Sequence, residues 1–275
     1  PSDTMNGFPG PDSPYNADIP YDIEQWAVFG EVSYDVTDRL NLTVGGRFYD
    51  FEEERTFKTG GWFSNGDFAE DTTSSDGFTP RVMASFDVNE DMTINAQASQ
   101  GFRLGGVNDP LNATLCEGSD LETFGGFQEY EDETMWNYEV GFKSMYENFS
   151  FNAAAFYTDI EDLQVTLDAG SCSSRVAFNV EEAHTLGVEW ELTAYAMDGL
   201  LLTFAGSWIE AEFDSTVKDG DGNIVGGVED GNRLASVPEL QLSASATYTF
   251  GAQLFSSNEM YVSGLVQHVG ERYTQ

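Results

Sequence analysis

Strict alternation of apolar and polar residues, repeated along almost the whole length, constrains this chain more than any other feature. Residues 40–48 set Leu40, Leu42, Val44, Gly46 and Phe48 on one face and Asn41, Thr43, Gly45 and Arg47 on the other. In 92–99, Met92, Ile94, Ala96 and Ala98 oppose Thr93, Asn95, Gln97 and Ser99. In 185–193, Leu186, Val188, Trp190 and Leu192 oppose Thr185, Gly187, Glu189, Glu191 and Thr193. In 240–249, Leu240, Leu242, Ala244, Ala246 and Tyr248 oppose Gln241, Ser243, Ser245, Thr247 and Thr249. The parity recurs less cleanly at 26–35, 80–88, 136–146, 149–158, 200–208 and 260–267. A period of two marks strands with unlike faces, so the chain is predicted to be all-β, with about ten strands and no amphipathic helix.

The connections narrow the architecture. Thr37-Asp38-Arg39, Asn89-Glu90-Asp91, Glu147-Asn148 and Met197-Asp198-Gly199 are tight hairpin turns. Between them, 52–77, 104–134, 168–182 and 210–236 read as long loops, beyond the roughly 12–15 residues common in compact soluble domains. Short turns alternating with long loops are what a transmembrane antiparallel up-and-down β-barrel produces. A soluble sandwich or propeller also uses alternating strands, but here the polar faces are mostly uncharged Ser, Thr, Asn and Gln. Aromatics gather at strand ends, with Tyr34, Phe86, Phe149, Tyr195 and Tyr248 beside the short turns. Trp26, Phe102, Trp136 and Trp208 lie toward the long loops. Two such girdles around an apolar band favour the barrel. No run of 18 apolar residues predicts a transmembrane helix, which leaves a barrel open.

Composition removes other classes. Eleven Lys and Arg against 48 Asp and Glu give a net charge of −37, the opposite of a nucleic-acid-binding footprint. Aromatics at 14% do not suit an acidic disordered chain. Residues 1–24 are expected to form an outer loop preceding the first strand. Because the chain would then start and stop on the outer side and leave two unpaired edges in lipid, it is expected to be an internal stretch of a larger barrel.

Several segments resemble the TonB-dependent outer-membrane receptor family, in its siderophore-type, iron-complex branch. Ala27-Val28-Phe29-Gly30-Glu31 through Leu42-Thr43-Val44-Gly45-Gly46-Arg47-Phe48 is similar to a family hairpin. So are the strand end Gln100-Gly101-Phe102-Arg103-Leu104-Gly105-Gly106-Val107-Asn108 and the pair Tyr138–Ser144 with Ala154–Gln164. Phe178–Ala183 leading into Leu186–Glu191, and Pro238-Glu239 before a Ser/Ala/Thr strand, complete the order. The resemblance implies a 22-stranded barrel of which 1–275 supplies roughly strands ten to nineteen of a single barrel domain, without plug or closing strands. It further implies import of an iron chelate as cargo, with no resident cofactor and no enzymatic activity. The implied setting is the bacterial outer membrane, with lipid, lipopolysaccharide and, through a plug, the TonB energy-coupling complex as partners. A passive or structural barrel whose loops mediate adhesion or assembly is the alternative; a hydrolase would need an acid/base set at the loop mouth, and none is evident.

Candidate site residues follow from parity and loop position. Arg103 and Arg47 fall on the lumen face near the outer mouth, where a guanidinium grips an anion or pairs with wall acids. Trp62, Phe63, Phe124 and Phe127, flanked by glycines, are candidates to cap a hydrophobic chelate or to pack on their own loops. Loop 104–134 carries Asp109, Glu117, Asp120, Glu122, Glu129, Glu131, Asp132 and Glu133 without a Lys or Arg, a solvated acidic surface or a cation funnel. Asp219, Asp221 and Asn223 begin like a calcium loop, but Ile224 stands where the sharp turn needs Gly. Two cysteines give no metal framework; Cys116 and Cys172, both in outer loops, are expected to form a disulfide. His184 and His268 read as ordinary polar wall residues.

Overall fold

The computed structural model describes residues 15–61, 68–111, 115–172, 174–251 and 259–273. In chain order its elements are β1 (Asn16–Asp18), β2 (Tyr21–Thr37), β3 (Leu40–Gly60), β4 (Phe68–Asn89), β5 (Met92–Arg103), β6 (Gly106–Val107) and α1 (Gly118–Phe124). They continue as β7 (Glu129–Tyr130), β8 (Glu133–Met145), β9 (Phe149–Asp168), β10 (Arg175–Met197), β11 (Leu200–Phe213), β12 (Leu240–Gly251) and β13 (Glu259–Val269). Eleven strands form one antiparallel sheet: β1 and β2 both flank β3, and β4, β5, β8, β9, β10, β11, β12 and β13 follow in order. β6 and β7 pair separately. The sheet is open among the described residues, with β2 and β13 at its two ends.

Register turns the alternation into two unlike surfaces. One continuous row reads Tyr34, Leu42, Ala84, Ala96, Val140, Ala155 and Val188 across seven strands. The row one residue away reads Asp35, Asn41, Ser85, Asn95, Gly141, Ala154, Glu189, Ser207 and Gln241. Because a one-residue slip would exchange the faces of a whole strand, the burial preference of every strand enforces the same alignment. Val44, Ile94 and Val188 are exposed on the apolar face, whereas Asn95, Glu189 and Ser243 line a hollow on the other. Thr43 is buried on the polar side, where Ser33 Oγ lies 2.6 Å from its hydroxyl.

Three short turns share a device. The ladder slips by one residue at Asp35/Thr37, Asp87/Asn89 and Tyr195/Met197, two residues before each turn. A bulge there raises the right-handed twist that a tight hairpin needs. The side chains complete the turns: Thr37 Oγ1 accepts from Arg39 and Leu40 N–H, and Asn89 Oδ1 from Asp91 N–H. Gly199, at φ +79°, occupies a conformation open to glycine.

Several expectations from sequence are corrected. Among the described residues, 52–60, 68–77 and 175–182 are strand, not loop. β3 and β4 pair as far as Lys58 with Phe68, and β9 and β10 as far as Asp168 with Arg175. Polar strands continue there into water, where loss of the apolar face hides them from a periodicity reading. The stretch 1–24 is likewise not all loop: β2 begins at Tyr21, and Asn16–Asp18 pairs with Lys58–Gly60 of β3. One short helix, α1, interrupts 104–134. Phe102 leaves the expected girdle: beyond Ser99, β5 no longer pairs with β4, and the ring turns to stack on Tyr49 at 3.8 Å. Trp26 and Tyr34, Phe86, Phe149, Tyr195 and Tyr248 do stand exposed at the two ends of the apolar band.

The two faces make opposite demands on charge. Val140→Lys, on the lipid-side face, is expected to destabilise the protein by about 2–4 kcal/mol in vesicle-reconstituted urea titrations. Glu139→Gln, one residue away on the hollow's wall, is expected to change stability by less than about 0.5 kcal/mol.

Candidate functional site

The concave face encloses about 970 Å³. Its wall is polar and mostly neutral, with Asn95, Gln97, Asn152, Ser207, Gln241 and Ser243 among Glu139, Glu189 and Glu191. Arg81 is the guanidinium on this wall, and it is held by Glu31 at 3.5 Å and Gln97 at 3.3 Å. These hydrogen-bonding side chains alternate on the wall with Met83, Phe142, Trp190 and Leu242.

Above this wall the connections fold inward. The tops of β9, β10 and β11 bury Ile160, Val165, Leu167, Phe178, Val180, Ala183 and Phe213 beneath Val225 and Val228 of the β11–β12 connection. The β5–β8 connection, here termed the strap, lies against the same cluster through Phe124 and Phe127. Amide side chains tie its base to the wall. Gln164 Nε2 donates to the carbonyls of Leu104 (2.9 Å) and Glu131 (3.0 Å). Asn179 Nδ2 donates to Glu131 O (2.9 Å) and Asp162 O (2.8 Å), while its Oδ1 accepts from Glu131 N–H. Asn108 exchanges two hydrogen bonds with the backbone of Ala177, at 2.6 and 2.8 Å.

The tip of the strap is fixed covalently. Cys116 is bonded to Cys172, 56 residues away in sequence. Beside it, Asp120 Oδ2 accepts from the N–H of Ser171 at 2.8 Å and from its hydroxyl at 2.5 Å. These two donors, the hydroxyl first, hold the Asp120 carboxyl below its ordinary range. On the outward side of the β3–β4 extension, by contrast, a hydrogen bond with Glu70 and its charge hold the Glu54 carboxyl above its ordinary range.

A family model described as TonB dependent receptor-like, beta-barrel, matches residues 2–275. The chain belongs to the TonB-dependent receptor family. Among curated relatives, the pesticin receptor of Yersinia enterocolitica is 25% identical over 253 residues, 87% of this chain and 36% of that protein. Among solved structures, the ferric yersiniabactin uptake receptor of Yersinia pestis aligns with a TM-score of 0.73 at 19% identity, over 95% of this chain and 36% of that one. The siderophore receptor of Acinetobacter baumannii aligns with a TM-score of 0.63 at 19% identity, over 91% and 36%. The likeness to these structures shows the fold. The chain thus spans about a third of the length of the relatives it matches. As in its family, it is an outer-membrane receptor barrel sequence, and none of these relatives is named as an enzyme.

Within this TonB-dependent receptor wall the candidate residues separate. Arg103 is committed: its Nη2 donates to Glu133 Oε2 at 2.5 Å and to Gln164 O at 2.7 Å, and Glu133 is nearly buried. Arg47 is exposed on the polar face, opposite Phe29 and Thr79, with no ion pair among the described residues. Phe124 and Phe127 pack against the buried cluster at the tops of β9–β11, the latter 4.9 Å from the ring of Phe178. Trp62 and Phe63 lie outside the described residues. In the calcium-like segment, Asp219 Oδ1 accepts from Asp221 and Asn223 N–H, and Oδ2 from Asn223 Nδ2. That carboxylate closes its own turn, and the bonds from Asn223 hold it below the ordinary range. His184 faces Asp214 at 2.8 Å on the outward side, while His268 is exposed on β13. Sequence reading missed Arg55, Gln164 and Asn179 on strands and Asn108 in a connection, because a single polar residue carries no periodic signal of its partner. Asn108, Gln164 and Asn179 lay inside the segments that resemble the family, and Arg55 did not.

Two outcomes follow. Closing a loop of this size is worth about 4 kcal/mol in the chain-entropy model. Alkylation without reductant is therefore expected to label neither cysteine, and reduction to make residues 104–132 sensitive to protease. A carboxylate whose folded pKa is depressed contributes stability that is present above its unfolded pKa and lost as pH falls through the folded value. The protection factor of the Ser171 amide, its slowing relative to the intrinsic rate at each pH, is accordingly expected to be high at neutral pH and to fall below the ordinary carboxylate range. Asp120→Asn should give a low protection factor at both.

Proposed function

We propose that this chain is wall and outer rim of a receptor that imports an iron complex of the siderophore type across the outer membrane. The single observation that carries the reading is the alignment over 95% of the chain with a ferric-siderophore uptake receptor. The polar wall and inward-folded rim support it. In this reading the chelate is cargo, held between the rim and a plug domain, and an inner-membrane TonB complex supplies the energy that displaces the plug. The hydrated wall gives the plug a surface it can slide along, since Asn, Gln and Ser exchange partners with water at little net cost. Lipid and lipopolysaccharide cover the outward face. Arg47 is the guanidinium at the outer end of the polar face left to meet an anionic group of the cargo, because Arg81 and Arg103 are already engaged; Lys143 lies lower on the same wall.

The test is uptake of radioactive ferric chelates of the catecholate, hydroxamate and carboxylate kinds by iron-starved cells making the complete gene product. Saturable uptake of at least one chelate, lost in a strain without TonB, is expected. Arg47→Glu should weaken an anionic chelate about tenfold, or about 1.4 kcal/mol. Uptake of none of them, or uptake indifferent to TonB, would overturn the reading.

A further inference from the structure

Two glycines stand opposite β12 on the outward face, and only one of the gaps they leave is filled. In the alternation of β10 and β12, Trp190 and Leu242 take the outward side together with Val188, in one row with Gly206 of β11 and His268 of β13. A Cβ at Gly206 would meet the Trp190 ring at 2.5 Å and Leu242 at 2.7 Å, so neighbouring side chains occupy that gap. Nearer the short-turn end, Gly264 of β13 shares a row with Ala194, Leu202 and Ala246. A Cβ there would meet nothing within 4 Å. With Ala244 these small residues leave an apolar dip of about 660 Å³, flanked by Phe204 and Val266.

The outer end of this dip is polar. Along β13 the outward series runs Met260, Val262, Gly264, Val266 and then His268, two residues before Gly270 N–H closes the ladder on Leu240 O. His268 is exposed and has no hydrogen-bond partner among the described residues. An imidazole turned toward lipid is costly unless a polar group meets it. Arg272, four residues on, is also exposed and forms no ion pair among the described residues, with Glu271 beside it. Elsewhere this end of the outward face is acidic. Asp159, His184 and Glu212 stand in one row, with His184 already held by Asp214, and Asp50 stands opposite Asp76. An anionic head group is therefore repelled there, and beside β13 it meets an imidazole and a guanidinium.

We propose that the outward face of β12–β13 is a binding site for one lipopolysaccharide molecule, with an acyl chain over Gly264 and a phosphate of its head group on His268 and Arg272. Apolar contact alone does not select a lipid, because hydrocarbon tails are as apolar as Leu. The selection comes from the basic pair at the end of the dip, which lies at the long-loop end of the strands and hence in the outer leaflet. The open gap at Gly264 then lets the chain lie against the backbone while the phosphate is held. The inference rests on lipid covering the outward face and is independent of which cargo is carried.

Native mass spectrometry of the complete receptor, extracted from outer membranes in mild detergent, tests this by counting bound lipopolysaccharide and phospholipid. The unaltered receptor is expected to retain one lipopolysaccharide. Gly264→Leu, which fills the open gap with an apolar side chain, and the double change His268→Leu with Arg272→Gln should each lower that retention about tenfold. Ala96→Leu, in a second alanine-lined dip on the same face beside Val82 and Tyr138, should leave it unchanged. Heat-modifiable migration on gels confirms that each variant has folded. Uptake of ferric chelates is expected to be the same in all of them, so it judges the import reading separately from this one. Unchanged lipopolysaccharide in both site variants, phospholipid in its place, or an equal loss in Ala96→Leu overturns the proposal. Failure of Gly264→Leu alone to fold would place a protein side chain in the gap and overturn it as well.

Discussion

Inside a hydrocarbon slab no water can satisfy a backbone N–H or C=O, so each must be paired within the protein at a cost of several kcal/mol if it is not. The sheet meets that demand strand by strand, and the demand fixes everything else about the wall. Pairing sets register, register aligns Val140 with Ala96 and Ala155, and alignment makes one face apolar and the other wet. The bulges before the short turns keep the ladder intact while adding the twist that lets the sheet curve. The hollow on the polar face is a consequence of that curvature.

Where the strands leave the membrane the demand weakens but does not vanish, and different groups meet it. Strand edges at the tops of β9 and β10 would be left open because β11 and β8 end sooner. Asn108 and Asn179 meet those groups with both the donor and the acceptor of a side-chain amide, and Gln164 with its Nε2 donor, where a peptide group would otherwise stand. Asp162, with φ of 55°, interrupts the β9–β10 ladder without shifting its register, and its carbonyl is one of the groups taken up by Asn179. The rim is therefore an extension of the sheet by other means, and it owes its order to the same accounting of backbone groups.

This explains what was legible in the amino-acid sequence. Alternation is a property of two environments meeting across a strand, so segments such as 92–99 and 240–249 announced both their conformation and their facing. Tyr49–Lys58 paired just as regularly with β4, yet water on the outward side allowed Asp50, Glu52 and Glu54 there, and a charged strand resembles a loop. The disulfide was legible because only two cysteines exist and both lay between strands. Arg103 was placed correctly on its face, but its partner Glu133 was read as one more acid of a solvated loop. What decided the matter was depth: Glu133 is 4% exposed, and depth depends on how 104–132 folds back, which no local pattern encodes.

The charge balance determines how such a rim holds together at all. With 48 acids and 11 bases, most carboxylates have no cation to meet, and bringing acidic loops together works against their mutual repulsion. Arg55, Arg81, Arg103 and Arg233 each sit against a carboxylate, which places four guanidinium groups at contacts between segments. Two further carboxylates, Asp120 and Asp219, are instead satisfied by backbone and hydroxyl donors, which carry no net charge. Cohesion of the rim then falls to contacts that are indifferent to charge: the cluster around Phe178 and Val180, the amide-to-backbone bonds, and the Cys116–Cys172 bridge. An acidic rim built this way keeps its shape when salt screens its ion pairs.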